Sequence, residues 1–146
     1  SKALVDGISL TFIKDDTIAE LIRAGANPNI TGASPLIRLA SGYRVTAAEM
    51  LIDAGADINV YHMGWTPLKR AVQHNRVSMV RMLIARGARI SDVLPLGYLQ
   101  QVTTDHRIIQ MLNNHKGVIQ QYEAEKSKKH LRDARAAAKK RHASNA

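Results

Sequence analysis

A short phrase returns along this chain at near-constant spacing: Ala24-Gly25-Ala26-Asn27-Pro28-Asn29, Ala54-Gly55-Ala56-Asp57-Ile58-Asn59 and, more loosely, Arg86-Gly87-Ala88-Arg89-Ile90. The three glycines are 30 and then 32 residues apart, and each follows an apolar run: Leu21-Ile22, Met50-Leu51-Ile52 and Met82-Leu83-Ile84. A period of that size predicts a stack of supersecondary units, none of which buries its apolar face alone. Chains built this way usually act by presenting a surface.

A second marker keeps phase with the first. Ser34-Pro35-Leu36 and Thr66-Pro67-Leu68 are 32 residues apart, and 21 residues separate each Ser or Thr from the later glycine. Proline suits the first helical turn, where a missing N–H costs nothing, and the hydroxyl before it can cap the orphan amides. Leu68 and the small Ala71 share a face that lets helices approach closely. Nine residues before the glycines stand Asp16, Thr46 and Ser78, expected N-caps of each second helix. Thr17-Ile18-Ala19-Glu20 and Thr46-Ala47-Ala48-Glu49 match a capping box. Gly25, Gly55 and Gly87 would then end those helices in the left-handed conformation that glycine reaches cheaply.

This pattern resembles the ankyrin repeat, best over Gly64-Trp65-Thr66-Pro67-Leu68-Lys69-Arg70-Ala71 through Val80 and Leu83 to Gly87-Ala88, and next best from Ser34 to Asn59. The resemblance implies an all-α solenoid of helix-loop-helix units with short hairpin-like loops. We expect about four units over residues 1–116, near 1–29, 30–59, 60–90 and 91–116, the outer two being divergent caps. Leu94-Pro95-Leu96 with Leu99, Ile108-Ile109 and Met111-Leu112 marks the fourth; Leu4, Val5, Ile8, Leu10 and Ile13 begin the first. The histidine that usually follows Thr-Pro-Leu is replaced by Ile37 and Lys69, which implies an altered hydrogen-bond network between repeats. Asn75 stands where glycine usually follows the first helix, and asparagine tolerates a positive φ.

Charge sets the last segment apart. Residues 117–146 carry eight Lys/Arg against three carboxylates, a net of +5, whereas the other 116 residues carry +4. From about Val118 to Arg141 good helix formers dominate, Glu125 and Lys129 have the favourable i,i+4 order, and Val118, Ile119 and Tyr122 give a narrow apolar stripe. A basic helix docked at its start and solvated toward its end is expected. Its Lys126, Lys128, Lys129, Arg132, Arg135, Lys139, Lys140 and Arg141 could hold nucleic acid, another polyanion or an acidic protein surface. No aromatic residue interleaves them after Tyr122, which disfavours stacking on single strands.

Reaction chemistry is hard to find. There are no cysteines, so thiolate zinc sites and disulfides are excluded. The six histidines show no ligand spacing such as His-Glu-x-x-His, and no glycine-rich loop introduces a helix as a phosphate cradle. Asp15 and Asp16 read as helix-start residues in place of an acid–base pair. We expect no enzyme, no cofactor, no metal and no small-molecule substrate. No apolar run is long enough to span a bilayer, and no secretory pattern opens the chain. Its start at Ser1 reads as processed or trimmed, and the expected location is the cytoplasm, with the nucleus as alternative.

The resemblance also implies a partner surface along loop tips and first helices. Carried onto this chain it comprises Tyr61, His62, Met63, Trp65, Lys69, Arg70, Gln73 and His74 in the third unit, with Thr31, Ala33, Ser41 and Tyr43 in the second and Gln101 in the fourth. Tyr61 and Trp65 are the expected anchors, because large aromatics at exposed tips carry much binding energy. A folded protein partner in this groove is the first expectation, with the chain an adaptor or an inhibitor. Nucleic-acid binding through the basic helix is the alternative.

Overall fold

The computed structural model describes residues 14–29, 34–91, 93 and 102–144. The expectations for residues 1–13, Thr31, Ala33, the Leu94-Pro95-Leu96 phrase with Leu99, and Gln101 lie outside the described residues. Within them run seven helices: α1 (Asp15–Arg23), α2 (Pro35–Ala40), α3 (Val45–Asp53), α4 (Pro67–Gln73), α5 (Val77–Ala85), α6 (His106–Asn113) and α7 (His115–Ser144). α2 pairs with α3 and α4 with α5; α2 also packs on α4, and α1, α3, α5 and α6 follow one another side by side. The result is two rows, first helices inside and second helices outside.

The first helices form as their residues dictate. Pro35 and Pro67 occupy the first turn, and the hydroxyls of Ser34 and Thr66 accept from the amides of Ile37 (3.3 Å) and Lys69 (3.2 Å). Second helices end in three copies of one stop. Gly25, Gly55 and Gly87 have φ of +87°, +100° and +94°. Their amides donate to Ile22, Ile52 and Ile84, and the next amides, of Ala26, Ala56 and Ala88, donate to Leu21, Leu51 and Leu83. That is the paired 5→2 and 6→1 closure of a Schellman motif. Asn75 ends α4 in the same way, at φ +54°, as its side-chain type permits.

The second helices start two residues earlier than the sequence suggests. Their N-caps are Lys14, Arg44 and Arg76, none of which caps through its side chain, so Asp16, Thr46 and Ser78 lie inside the first turn. A tight turn accounts for the shift in two units: the amides of Val45 and Val77 donate to the carbonyls of Tyr43 (3.0 Å) and Asn75 (3.2 Å), so the helix begins without a hydroxyl cap. The freed arginines brace neighbouring units. Arg44 reaches Asp15 at 2.6 Å, and Arg76 Nε donates to the Ser41 carbonyl at 2.7 Å. The capping boxes fail for the same reason, and Glu49 instead accepts from the Tyr122 hydroxyl.

Between units the core is Leu, Ile, Met and Ala. Ile18, Leu36, Leu51, Leu68, Met79, Met82, Leu83, Ile84 and Ile108 are fully enclosed, and Ala40, Ala47, Ala48 and Ala71 keep the rows close. The recurring asparagines replace the missing histidine network. Asn29 Oδ1 accepts from the Asp57 amide (2.7 Å), Asn29 Nδ2 donates to the Gly55 carbonyl (2.7 Å), and one unit later Asn59 Oδ1 accepts from the Arg89 amide (2.7 Å). Thr103 Oγ1 donates to Asn75 Oδ1 at 2.6 Å, tying the next unit on.

Asn114 alone joins α6 to α7, and its side chain fills the place where a Cβ on Gly117 would stand. α7 starts at His115, packs on α6 and α5, and buries Val118 with Ile119 and Tyr122 at the margin of the core. Tyr122 reaches Glu49 on α3, and Glu125 pairs with Arg81 on α5 at 2.6 Å. From residue 123 to 144 every α7 side chain is exposed.

Gly55 separates backbone strain from crowding, since nothing lies within 4 Å of the Cβ that alanine would add. Gly55→Ala should cost about 1–2 kcal/mol in urea unfolding, all of it from the left-handed backbone. Gly42→Ala, where φ is ordinary and the added Cβ meets only the Leu39 carbonyl at 3.5 Å, should be near neutral.

Candidate functional site

The loop before α4 folds as a finger. His62 and Trp65 pair through two backbone bonds (2.9 and 3.0 Å), and Met63 and Gly64 at the tip have φ of +51° and +86°. Two positive φ values are what the commonest two-residue hairpin turn requires, and Asn-Gly is its usual filling. Here methionine takes the first place. A large L-residue there carries roughly 1–2 kcal/mol of backbone strain. Its side chain is also 83% exposed, so no burial offsets the cost.

Trp65 stands at the base of the finger, half-buried. The Arg70 guanidinium lies 4.4 Å from its ring centroid and the Lys69 ammonium 5.5 Å, with Lys69 Nζ donating to the Gly64 carbonyl at 3.1 Å. Arg70 also donates to Gln73 Oε1 at 3.3 Å. The expected anchor is thus fastened to its own unit by two cations, while its neighbours Tyr61 and Met63 remain in water, Tyr61 at 73% exposure.

At the other end of the inner helices, Tyr43 is 81% exposed, with the Arg76 guanidinium 4.0 Å from its ring centroid. Gln73 and His74 are exposed beside it in the next unit. Burial together with Arg70 and Arg76 lowers the His74 pKa below its ordinary value. Arg38 is the exposed side chain of α2, and it holds the same place in its unit as Arg70, 32 residues later.

The structure places the expected residues Tyr61, His62, Met63 and Trp65 in the finger, Lys69, Arg70 and Gln73 on α4, and Tyr43 and His74 in the inter-helix turns. Sequence reasoning set Arg38 with Lys69 and Arg70 on or beside the first helices, as a basic face if the latter two turn to the groove, but did not count it among the partner-binding residues. It also missed the bracing by Arg44 and Arg76, although the 32-residue spacing of both arginine pairs was there to be read. The basic residues Lys126, Lys128, Lys129, Arg132, Arg135, Lys139, Lys140 and Arg141 lie on the free length of α7. Among the described residues no group of His, Asp or Glu could hold a metal ion, and no helix is long and apolar enough to cross a membrane.

Paired helices in two rows, proline-led on the inside and glycine-stopped on the outside, with a hairpin finger before an inner helix, define a helical repeat of the finger-and-groove kind. A family profile described as "Ankyrin repeats (3 copies)" matches residues 11–93, and the chain belongs to the ankyrin-repeat family. It is also 40% identical over 57 residues to the 2-5A-dependent ribonuclease of Mus musculus, a stretch that is 38% of this chain and 8% of that protein. The chain therefore spans a small part of that relative. Ankyrin repeats generally mediate protein–protein interaction and are typically non-catalytic.

Met63→Asn should raise stability by roughly 0.5–1 kcal/mol in denaturant unfolding, because asparagine relieves much of the left-handed strain. His74 acts with the opposite sign. Its folded pKa is depressed, so the unfolded chain takes up this proton first as pH falls. Stability is untouched above about pH 7 and declines below about 6.5, until the folded group also protonates. His74→Gln should flatten that part of the curve of melting temperature against pH.

Proposed function

We propose that this chain is a non-catalytic module that holds a folded protein partner on the strip running from the finger to the inter-helix turn. One observation carries the reading: Tyr43, Tyr61 and Met63 are left in water at the two edges of the strip, one of them on a strained backbone. Exposed groups of that size at a rigid edge suit the anchor role, with Tyr43 held in place by the Arg76 guanidinium against its ring and hydroxyl. The activity named for the mouse relative is not carried over, since the matched stretch is 8% of that protein. A module this small suits an adaptor, or an inhibitor that occludes its partner's own site. The free length of α7 supplies a second contact.

A second reading, binding of a polyanion by α7, rests on Lys128, Arg132, Arg135 and Lys139. Their i, i+4, i+7, i+11 spacing puts four exposed cations in one line about 16 Å long.

Tyr61→Ala and Met63→Ala should each weaken capture of the native partner by about 1–2 kcal/mol, roughly tenfold, with little loss of melting temperature. Replacing Lys128, Arg132, Arg135 and Lys139 by glutamine should weaken it less. Capture that ignores the finger substitutions, needs the α7 cations and disappears with nuclease would reverse the two readings.

A further inference from the structure

The strip carries one sign of charge. Residues 34–44 and 60–76 hold Arg38, Arg44, Lys69, Arg70 and Arg76 and not a single Asp or Glu. The helical carboxylates of the first two units lie on the outer row, Asp15, Asp16 and Glu20 on α1 and Glu49 and Asp53 on α3, while Asp57 in the loop before the finger accepts from the Asn59 amide at 2.9 Å. Three of these five cations are engaged inside the stack. Arg44 is paired with Asp15, Arg76 is bonded to the Ser41 carbonyl, and Lys69 to the Gly64 carbonyl. Arg38 and Arg70 differ. The ion pairs among the described residues join Arg44 to Asp15, Arg81 to Glu125, Arg86 to Asp53 and Arg107 to Asp105, and neither Arg38 nor Arg70 is in one. Arg70 meets only the neutral Gln73 oxygen and the Trp65 ring.

Register turns these two arginines into a feature of the surface. They occupy equivalent places on α2 and α4, which pack side by side, so they stand about 10 Å apart along the stack. Arginine offers a planar fork that binds carboxylate through two bonds, and a partly desolvated pair of this kind gives specificity as well as rate of encounter. Tyr43 lies at one edge of this row, Tyr61 and Met63 at the other.

We propose that the segment bound in this groove is an acidic one: a protein strand or helix whose Asp or Glu side chains meet Arg38 and Arg70 while its apolar side chains meet Tyr43, Tyr61 and Met63. The inference rests on the groove reading above and adds the chemistry of the partner. A protein fits better than a nucleic acid for two reasons. The apolar edges offer nothing to a phosphate backbone, and the Trp65 ring is already taken by Arg70 and Lys69, so it is not free for a base. His74 at the end of the row has its pKa lowered first by burial and then by Arg70 and Arg76.

The test uses the full chain and three fluorescent probes: a peptide of about 14 residues alternating Glu or Asp with Leu and Phe, its Gln/Asn counterpart, and a duplex DNA of similar length. Anisotropy should show the acidic peptide binding about tenfold tighter than its amide counterpart, the scale of one or two charge-assisted bonds. Arg38→Gln with Arg70→Gln should abolish that preference without lowering the melting temperature, and glutamine at Lys128, Arg132, Arg135 and Lys139 should leave it intact. Equal binding of both peptides, no binding of the acidic one at millimolar concentration, or a preference that follows the α7 cations overturns the proposal. So does duplex DNA competing for Arg38 and Arg70. The two readings are separable. If capture of the native partner needs Tyr61 and Met63 but not Arg38 and Arg70, the groove stands and its taste for acid falls.

Discussion

A helix of six or seven residues does not stand alone in water, because nucleation fixes several backbone dihedrals for each hydrogen bond formed. α2 and α4 are that short, so their existence depends on burial against neighbours. Leu36, Leu39 and Ala40 of α2 and Leu68, Ala71 and Val72 of α4 are enclosed almost completely, and at such sites truncating a leucine typically costs about 2–5 kcal/mol. Everything else in the molecule follows from that mutual dependence. The inner helices can be short because their ends are prepared in advance, by a hydroxyl and a proline in front and a tight reversal behind. Short inner helices, in turn, bring the finger and the inter-helix turn within about 10 Å of each other, on one face.

Repetition then turns single contacts into rows. Asn29 and Asn59 do the same work one unit apart, each tying its loop to the backbone of the next unit. Arg44 and Arg76 both reach back to the preceding unit. Glu49 and Arg81, again 32 residues apart, both receive α7, one through Tyr122 and the other through Glu125. Exposed ion pairs of this kind contribute little individually, about 0–1 kcal/mol. They act as locators, choosing which face the helix crosses, while Val118, Ile119 and Tyr122 supply the apolar contact that holds it.

What was legible in the sequence is what the backbone demands. A positive φ at Gly25, Gly55 and Gly87, and a first-turn proline at positions 35 and 67, admit few residue types, so the architecture could be read from those letters. The docking of α7 by Val118, Ile119 and Tyr122 was legible for a similar reason: a helical stripe of apolar residues in a charged segment has no other use. The starts of the second helices were not. An N-cap hydroxyl is a weak signal, and the turns at Tyr43–Val45 and Asn75–Val77 set those starts through backbone bonds that no residue type announces. The finger was half legible, since Gly64 suggests a turn but Met63 is a poor letter for one. Arg38 could be put on or beside the first helices with Arg70 from sequence, but that the two stand side by side across a unit boundary needed the fold itself.

The outer row has its ion pairs within the chain. Asp15 is paired with Arg44 and Asp53 with Arg86, while α7 meets the row through Tyr122 on Glu49 and Glu125 on Arg81. Residues 34–44 and 60–76 carry no carboxylate, and among the described residues Arg38 and Arg70 form no ion pair. Occupation of the outer row by α7 also removes that part of the surface from competition for a partner. Among the described residues the two faces therefore differ: Asp15 and Asp53 on the outer row are paired, and Arg38 and Arg70 on the inner row are not. Two arginines set between the exposed side chains of Tyr43, Tyr61 and Met63 are what the proposed acidic segment would complete.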